Sequence, residues 1–538
     1  MREYQQQTKR PSMVFTFNGI FYVTFFAAQQ VIIGLFAFLK YNETQIYGNT
    51  DVAFGSAITD QNFDSVQSGQ YADYNYPTHL FSYWQILSDV TVWVLVGYGF
   101  LMSFLRFHRW MGLGMTFFFM CLTVQVYMLF STFWLCVYNY NFYKHIFIDL
   151  RDIISGFRCA VAILITFGAL AGKIDAFQGV NIILFETMFY SLNEMICYNL
   201  ITMKDIGGGS TIHLFGSGYG LATSMIYTRL TNTSTSKNIK STPSSITLCY
   251  LGTFFLFIFF PAFNCYCQYE MHRTKIALNF WPTNGDTLLK MPYILYNFNP
   301  ILYNMRFIAI QNTVWALTSS VVCSILFSCL VNSGKIDPEH ILNATLSGGV
   351  MIANCANMYV FPYPAMIIGA FAALTSVVCF RYAPRLLNAL HIYDTRGVFS
   401  LHCMPAMFGN VASAITVATF GSSPMRYFAT SNTANMYYFL YWRSYYNQGG
   451  YQSLGGTVSF FLAFFTGIIQ GLILWVWRKY NVPEETFTDH IYFHLIEEDL
   501  VQGMHPKFDM DTNYPMIGPF DTLHVMVNAP VYQPQFTH

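Results

Sequence analysis

The sequence predicts an all-α polytopic membrane protein with about twelve transmembrane helices. Three observations lead to this fold class: a strongly apolar composition, apolar stretches long enough to cross a bilayer, and a polar motif that occurs twice within those stretches. Of the 538 residues, 54% are hydrophobic and only 10% are charged, which excludes an ordinary water-soluble domain. The formal net charge is zero, so nothing favours nucleic acid or an acidic polymer as a partner.

The apolar stretches give the candidate helices, because about twenty helical residues span the hydrocarbon core. They lie approximately at 13–39, 87–105, 111–138, 153–172, 179–202, 207–228, 246–269, 306–331, 338–360, 362–380, 394–421 and 454–477. An even number of spans places both termini on one side of the membrane. Lys and Arg are more numerous on the segments that then share the side of the termini, which favours cytosolic termini.

These spans divide the chain into nine segments in sequence order. They are a cytosolic N-terminus (1–12), a first helix (13–39), an extracytosolic loop (40–86), a first repeat half (87–228), a cytosolic linker (229–245), a second repeat half (246–421) with an insertion at 271–305, an extracytosolic loop (422–453), a last helix (454–477) and a cytosolic tail (478–538). Asn42 begins an Asn-Glu-Thr sequon and is a candidate glycosylation site. All twelve cysteines lie in or beside apolar spans, so we expect no disulfide framework.

A polar motif occurs twice at positions where the flanking composition indicates lipid. DIGGGSTIH begins at Asp205 and DTRGVFSLH begins at Asp394, and the histidines His213 and His402 occupy the same place in each copy, 189 positions apart. Four predicted spans lie between the two copies, so they occupy the sixth and the eleventh span and the two helices run in opposite directions through the bilayer. This arrangement indicates a five-plus-five inverted repeat, whose functional groups commonly meet near the midplane.

The residue types of the motif suit two closely crossing helices. Glycines let helices approach each other, and an aspartate at a helix start accepts hydrogen bonds from free backbone N–H groups. Each histidine lies about two turns deeper, roughly 12 Å along the axis. A lone buried histidine is more often a structural donor than a functional group, but a repeated pair with matched aspartates favours a functional site.

Several segments then resemble one family in its own order. DIGGGSTIHLFGSGYGL resembles the fifth-helix motif of the ammonium transporter and Rhesus glycoprotein superfamily, and the Rhesus branch in particular. Further segments over most of residues 87–420 are similar to Rhesus sequences: DVTVWVLVGYGFLMSFL, ITFGALAGKI, SLNEMICYNL, GTFFLFIFFPAFN, ILNATLSGGV and DTRGVFSLHCMP. A set of several ordered motifs is more specific than any one of them.

The resemblance implies a homotrimer of twelve-helix subunits, each with its own narrow hydrophobic pore. In that family ammonium is recruited at an outer vestibule, loses a proton, and passes as neutral ammonia by a pair of hydrogen-bonded histidines. The positions of this sequence that match the family motifs are His213 and His402 as the pore pair, Asp205 and Asp394 as structural and electrostatic aspartates, Asn193 and Glu194 as vestibule residues, and Phe263 as the inner aromatic gate.

Several residues depart from the family pattern around the expected pore. The outer aromatic gate falls on Arg158 in an ungapped alignment and on Phe157 after a one-residue shift. An arginine at the vestibule would repel ammonium. Cys403 and Met404 follow the second histidine where the family has small residues, and their bulk would narrow or close the path. Arg396 also replaces a small residue.

These departures leave two hypotheses about function. The first is a Rhesus-like ammonia or ammonium channel, and the alternative is a Rhesus-like structural subunit of a larger membrane assembly with a narrowed or inactive pore. Neither is an enzyme, and we expect no cofactor and no metal site. We expect ammonia, lipid and further copies of the chain as partners, with residues 271–305 and the tail as candidate protein-binding segments. The plasma membrane is the favoured location, and an organellar membrane is the alternative.

Overall fold

The computed structural model of the chain describes residues 26–36, 39–41, 76–106, 108–139, 146–148, 150–231, 241–266, 291–358, 360–420, 445–477, 489 and 493. Asn42, residues 271–290 and nearly all of the tail lie outside this part of the chain. The predictions of a glycosylation site, of partners for the insertion and of partners for the tail therefore stay predictions.

The described residues form twelve helices and two short strands. The helices are α1 (Phe26–Phe36), α2 (Tyr76–Val92, Trp93–Tyr98, Gly99–Leu101 and Met102–Phe104), α3 (Met111–Met115 and Thr116–Asn139), α4 (Leu150–Leu170), α5 (Ala176–Glu194 and Met195–Leu200), α6 (Gly209–Leu214 and Phe215–Thr231), α7 (Pro243–Asn264), α8 (Met291–Val331), α9 (Pro338–Ile352), α10 (Pro362–Ala389), α11 (Phe399–Cys403 and Met404–Phe420) and α12 (Tyr445–Trp477). The strands β1 (Leu39–Tyr41) and β2 (Ile146–Ile148) pair in parallel, with Leu39 opposite Ile146. The prediction of an all-α fold is confirmed apart from this small pair.

Eight of these helices are long and apolar enough to cross a membrane by length and composition: α2, α3, α4, α7, α8, α10, α11 and α12. The protein is therefore an integral membrane protein with several spans, as the composition predicts. These helices differ in how much of their most apolar 18-residue segment is buried inside the bundle. The buried share is 89% in α4 and 33% in α8 and α10. Helix α4 thus lies in the interior of the bundle, while α8 and α10 form part of its periphery.

Helices α6 and α9 are not among the eight helices that are long and apolar enough to cross a membrane. Both are buried along most of their length. Helix α6 packs against α4 and α12, and α9 packs against α8 and α10. Because these helices contact protein rather than lipid, their glycines and polar side chains do not have to face hydrocarbon. This position explains how a motif as polar as DIGGGSTIH occurs in the middle of a membrane protein.

Three helices begin much earlier, by nine residues or more, than the apolar stretches predict. Helix α2 starts at Tyr76 within the expected outer loop, α8 starts at Met291 within the expected insertion, and α12 starts at Tyr445 within the last expected loop. Hydropathy detects the part of a helix that faces lipid, whereas a helix continues for as long as its backbone hydrogen bonds are satisfied. The predicted boundaries therefore mark the apolar spans and not the helix ends.

Side chains that cap free backbone groups start several helices. Asp175 and Gln178 form a reciprocal capping box at the start of α5, and Thr242 and Ser245 do the same for α7. Asp337 accepts a hydrogen bond from the backbone N–H of Glu339 at the start of α9. These caps satisfy amide groups that have no partner within the first helical turn.

Part of the C-terminal region docks at the start of α3. The Asp489 carboxylate accepts hydrogen bonds from the backbone N–H groups of Arg109, Trp110 and Met111, at 2.8 to 3.1 Å. The ring of Phe493 packs so closely on α3 that a side chain at Gly114 would lie 2.9 Å from it. Burial raises the pKa of Asp489, and the three N–H groups oppose that shift. The carboxylate thus supplies the first turn of α3 with a cap from a distant part of the chain.

Candidate functional site

The two histidines of the repeated motif meet inside the bundle. The Nδ1 atoms of His213 and His402 lie 3.2 Å apart, and the two rings are nearly parallel, with an interplanar angle of 12° and centroids 5.1 Å apart. The exposed fraction is 0% for His213 and 5% for His402. A hydrogen bond between two Nδ1 atoms requires a proton on one ring and a lone pair on the other. The pair is therefore a hydrogen-bonded unit in an almost water-free environment.

Both histidines lie in a π-helical opening of their helix. His213 belongs to the segment Gly209–Leu214 at the start of α6, and His402 belongs to Phe399–Cys403 at the start of α11. Each segment follows a glycine in the left-handed region, with φ of 73° at Gly208 and 79° at Gly397. A left-handed residue is easiest for glycine, which explains why glycine follows each aspartate by three positions. Wider π turns are frequent at functional sites.

The two aspartates of the motif cap these helix starts, although they accept hydrogen bonds from residues at different distances along the chain. Asp205 Oδ2 accepts hydrogen bonds from the backbone N–H groups of Ser210 and Thr211 and from the Thr211 hydroxyl. Asp394 instead accepts from backbone N–H groups within its first five following residues, namely those of Gly397, Val398 and Phe399. Both carboxylates satisfy amides that would otherwise be free at a buried helix start. They therefore fix the position from which each histidine extends.

An aromatic cluster lies beside His213. The rings of Phe260 and Phe263 have centroids 6.2 Å and 6.1 Å from that imidazole. Trp93 stacks on Phe263 at 4.2 Å and meets Phe260 edge to face at 5.1 Å, while its indole N–H donates to the carbonyl of Leu256. Phe263, which the resemblance makes a gate, is thus locked in place and adjacent to the histidine pair.

Arg158 lies on the same side of the pair as Phe263. Its exposed fraction is 0%, and its Nη1 and Nη2 atoms donate to the carbonyl oxygens of Phe263 and Ile206, both at 2.9 Å. The guanidinium also lies over the Phe263 ring at 4.8 Å and near the Tyr266 ring at 5.6 Å. Its neighbour Phe157 is half-buried and packs against the core. Which of these two residues forms the outer gate stays a prediction.

The expected vestibule residues are buried. Glu194 is 0% exposed and accepts a hydrogen bond from the Tyr127 hydroxyl at 2.8 Å. Asn193 is also 0% exposed, and its amide lies 3.4 Å from the carbonyl of Thr211 in the histidine-bearing segment. Both residues thus lie within the bundle, and Asn193 is coupled to the same backbone that Asp205 caps.

The two bulky residues after His402 differ in their surroundings. Cys403 is buried, whereas Met404 is half-buried. Their effect on the width of a pore stays a prediction.

Two groups of polar residues near the pair were not expected from the sequence. The Ser210 hydroxyl oxygen accepts hydrogen bonds from the side-chain amides of Asn354 and Asn410, with N–O distances of 2.6 and 3.1 Å. It therefore joins α6 to the segment after α9 and to α11. Lys173, in the connection between α4 and α5, donates to Ser224 and to the carbonyl of Tyr393. Burial lowers the pKa of Lys173 to about 7, and the nearby Asp394 opposes this shift. In the sequence, the only sign of this second group was the charged residue Lys173 directly after the apolar span 153–172.

The fold and the site together define a class of membrane protein: a multi-span helical bundle with a buried histidine pair held by two capped helix starts. The model of the Ammonium Transporter Family matches residues 66–494. The chain belongs to this family, and its similarity to Rhesus proteins places it in the Rhesus branch.

Individual relatives agree with this assignment. The chain is 31% identical over 433 residues to the ammonium transporter Rh type C of Bos taurus, covering 79% of this chain and 84% of the relative. It is 29% identical to the protein of the same description from Pan troglodytes, covering 87% of this chain and 88% of the relative. A solved structure of Rh50 from Nitrosomonas europaea shares the fold, with a TM-score of 0.60 at 23% identity over 80% of this chain and 96% of that one.

The left-handed glycines provide a test of the site geometry. A side chain at Gly397 would meet the Phe380 ring at 2.2 Å, whereas one at Gly334, which has φ of 86°, would meet nothing within 4 Å. We expect Gly334→Ala to cost about 1 kcal/mol from backbone strain alone, and Gly397→Ala to cost about 2 to 4 kcal/mol because overpacking is added. Thermal unfolding of the two purified variants in the same detergent measures the difference. Equal losses of thermal stability would contradict the close packing at Gly397.

Proposed function

We propose that this protein transports ammonia across a membrane, and that the neutral molecule passes the His213–His402 pair. The observation that carries the proposal is the contact between two buried imidazoles at 3.2 Å, reached from positions 189 residues apart. Membership of the Ammonium Transporter Family supports it, as do relatives described as ammonium transporters. The proposal includes no chemical turnover of the solute and is that of a transporter and not of an enzyme.

The physical chemistry of the solute explains why neutral ammonia is the transported form. Moving a bare ion into a low-dielectric interior costs tens of kcal/mol in the absence of compensation, whereas a neutral molecule mainly needs hydrogen bonds. His213 Nε2 has no hydrogen-bond partner among the described residues. That nitrogen can hydrogen-bond to ammonia beside Phe260 and Phe263, where bulk water is excluded.

In this proposal Arg158 determines the selectivity between ammonium and ammonia. Its fixed guanidinium lies next to Phe263 and repels a cation that approaches the histidine pair from that side. Neutral ammonia has no net charge and is not repelled. Ammonium must therefore lose its proton before it reaches the level of Phe263. We propose that the Glu194 carboxylate accepts this proton and returns it to the outer solution, while the Asn193 side chain helps to orient the ammonium.

Removal of either histidine tests the proposal. We expect His213→Ala and His402→Ala each to lower ammonia flux by roughly ten- to a hundredfold, because the loss of one hydrogen-bonding partner in a dry path costs about 1 to 3 kcal/mol. The measurement uses the full-length chain in proteoliposomes containing a pH-sensitive dye, with an inward gradient of ammonium chloride.

The matched control for these variants is His391→Asn. His391 is exposed and has a positive φ, which asparagine tolerates better than alanine. This variant should keep the flux of the unmodified protein. If the protein produced no flux above that of empty vesicles, or if both alanine variants matched His391→Asn, the transport proposal would fail.

A second candidate function is that of a structural subunit with a closed pore, and Arg158 is the observation that favours it. The arginine links α4 to α7 and to the connection between α5 and α6 through its bonds to the carbonyls of Phe263 and Ile206. A guanidinium held in this way is part of the packing and also occupies space beside the aromatic cluster.

Replacing Arg158 separates the two functions. For a transporter of neutral ammonia, we expect the unmodified protein to carry ammonia with only a small residual ammonium current. Arg158→Phe should increase that current about tenfold, because a repulsion of about 1.4 kcal/mol is removed. Arg158→Lys keeps the positive charge and should carry no current. Ammonia flux that appears only in Arg158→Phe would favour the structural subunit with a closed pore. Solid-supported membrane recordings and the dye assay together measure both quantities.

We also propose a homotrimer in the plasma membrane, built as a five-plus-five inverted repeat in which residues 87–228 and 246–421 are the two halves. The matched helix starts support the repeat: each has a capping aspartate, a left-handed glycine three residues later and a histidine in a π-helical segment. The trimer and the membrane location depend on the resemblance to Rhesus proteins.

A further inference from the structure

The proposed transport path leaves one buried carboxyl group of α5 without a role. Glu186 is 0% exposed, and no arginine, lysine or histidine among the described residues forms an ion pair with it. Its Oε1 atom lies 2.7 Å from the Thr166 hydroxyl oxygen of α4, and its Oε2 atom has no hydrogen-bond partner in the described part of the chain. An ionised carboxylate in such a place would lose its hydration without a compensating charge, which favours the neutral acid.

The Thr166 hydroxyl indicates where the proton lies. Besides its contact with Glu186, the Thr166 oxygen lies 2.9 Å from the carbonyl oxygen of Gly216 in α6. A hydroxyl group has one hydrogen, and a backbone carbonyl can only accept. If Glu186 were ionised, one of the two short contacts would therefore lack a well-aligned hydrogen. A protonated Glu186 completes both bonds, since its O–H donates to Thr166 and Thr166 donates to Gly216.

This chain of bonds ends on the helix that carries His213, at the place where α6 touches α4. Gly216 follows His213 by three residues, which is about one helical turn. A Cβ at Gly216 would lie 2.5 Å from the carbonyl oxygen of Ala162, and one at Gly220 would lie 2.8 Å from the Cα atom of Thr166. The backbones of α4 and α6 are thus in direct contact there. A bond from Thr166 to the Gly216 carbonyl therefore fixes α6 against α4 one turn beyond the histidine.

A neutral Glu186 also suits its neighbour Glu194. Glu194 lies eight residues further along α5, roughly 12 Å along the helix axis, and it is also 0% exposed. Tyr190 lies between the two in sequence and packs edge to face on the Tyr127 ring, with centroids 6.3 Å apart. The proposed function requires Glu194 to be ionised when ammonium arrives. A second negative charge in the same dry region would oppose that ionisation, whereas a neutral Glu186 does not.

We propose that Glu186 is held as a neutral carboxylic acid whose O–H group, acting through Thr166, positions the turn of α6 that follows His213. Glu186 is a positioning residue, because its contacts are with protein groups and not with the proposed solute path. Its effect on flux rests on the proposed transport of ammonia. Its protonation and its link to Thr166 do not, so they can be tested separately.

Infrared difference spectroscopy of the full-length protein in detergent tests the protonation. The spectrum of Glu186→Gln is subtracted from that of the unmodified protein, which isolates the Glu186 carboxyl group. We expect the carbonyl stretch of a protonated acid between about pH 6 and about pH 8, where an exposed glutamate is ionised. A carboxylate band in its place would overturn the proposal.

Ammonia flux and thermal unfolding test the positioning role. Glu186→Gln keeps a neutral hydrogen-bond donor, so its flux should stay within about twofold of the unmodified protein, with the same pH dependence. Glu186→Ala and Thr166→Val should each lower flux about fivefold and also lower thermal stability. The double variant should lose no more than either single variant, because both changes break the same chain of bonds.

The matched control is Thr318→Val, since the Thr318 hydroxyl donates to carbonyls of its own helix, α8. This variant should keep the flux of the unmodified protein. Loss of flux or a shifted pH dependence in Glu186→Gln would overturn the proposal, and so would additive losses in the double variant or equal flux in Thr166→Val and Thr318→Val. Absence of flux in the unmodified protein would contradict transport alone, because the infrared band and the thermal unfolding test Glu186 without it.

Discussion

The contact between His213 and His402 is the constraint on which the rest of the structure depends. The two imidazoles lie 3.2 Å apart inside a membrane protein, where the free backbone N–H groups of a helix start need partners within the protein. Both helix starts are therefore capped by a carboxylate, and both follow a left-handed glycine. Because the helices that carry the histidines begin inside the bundle, α6 contacts protein along most of its length. Its polarity is a consequence of that position.

The two arginines near the histidine pair, Arg158 and Arg396, differ in how their hydrogen-bond donors are used. Arg158 gives two N–H groups to backbone carbonyls and stacks on Phe263, so part of its hydrogen-bonding capacity is used for packing. Arg396 stacks on Phe104, and its Nε and Nη2 atoms are buried without a hydrogen-bond partner among the described residues. Buried guanidinium N–H groups that donate to carbonyls satisfy part of the cation's hydrogen-bonding capacity, whereas buried N–H groups without a partner cost free energy. The family resemblance predicts an aromatic residue at Arg158 or Phe157 and a small residue at Arg396.

Much of the fold follows from the sequence, since apolar length indicates the membrane-spanning helices and the repeated motif identifies the two histidines that the structure places in contact. The starts of α2, α8 and α12 do not follow, because hydropathy reports lipid contact and not the end of a helix. The sequence leaves Phe157 and Arg158 as alternatives for the outer gate, since adjacent residues on a helix point about 100° apart and one shift in alignment exchanges them. The assignment of that gate stays a prediction. Lys173 and Ser210 were missed because their partners are distant in sequence. The roles of the histidines, the aspartates and Phe263 in transport stay predictions.

The protonation state of the histidine pair tests the central claim most directly. An Nδ1-to-Nδ1 hydrogen bond needs one ring protonated at Nδ1, and its neutral partner must carry its proton at Nε2. Solid-state ¹⁵N NMR distinguishes these tautomers in the full-length protein with labelled histidine. The signals of the pair are assigned by comparison with variants that lack either His213 or His402. We predict one ring protonated at Nδ1 and one ring protonated at Nε2, with a hydrogen-bond coupling between the two Nδ1 atoms. Two rings with the same tautomer, or no coupling between them, would contradict the hydrogen-bonded pair.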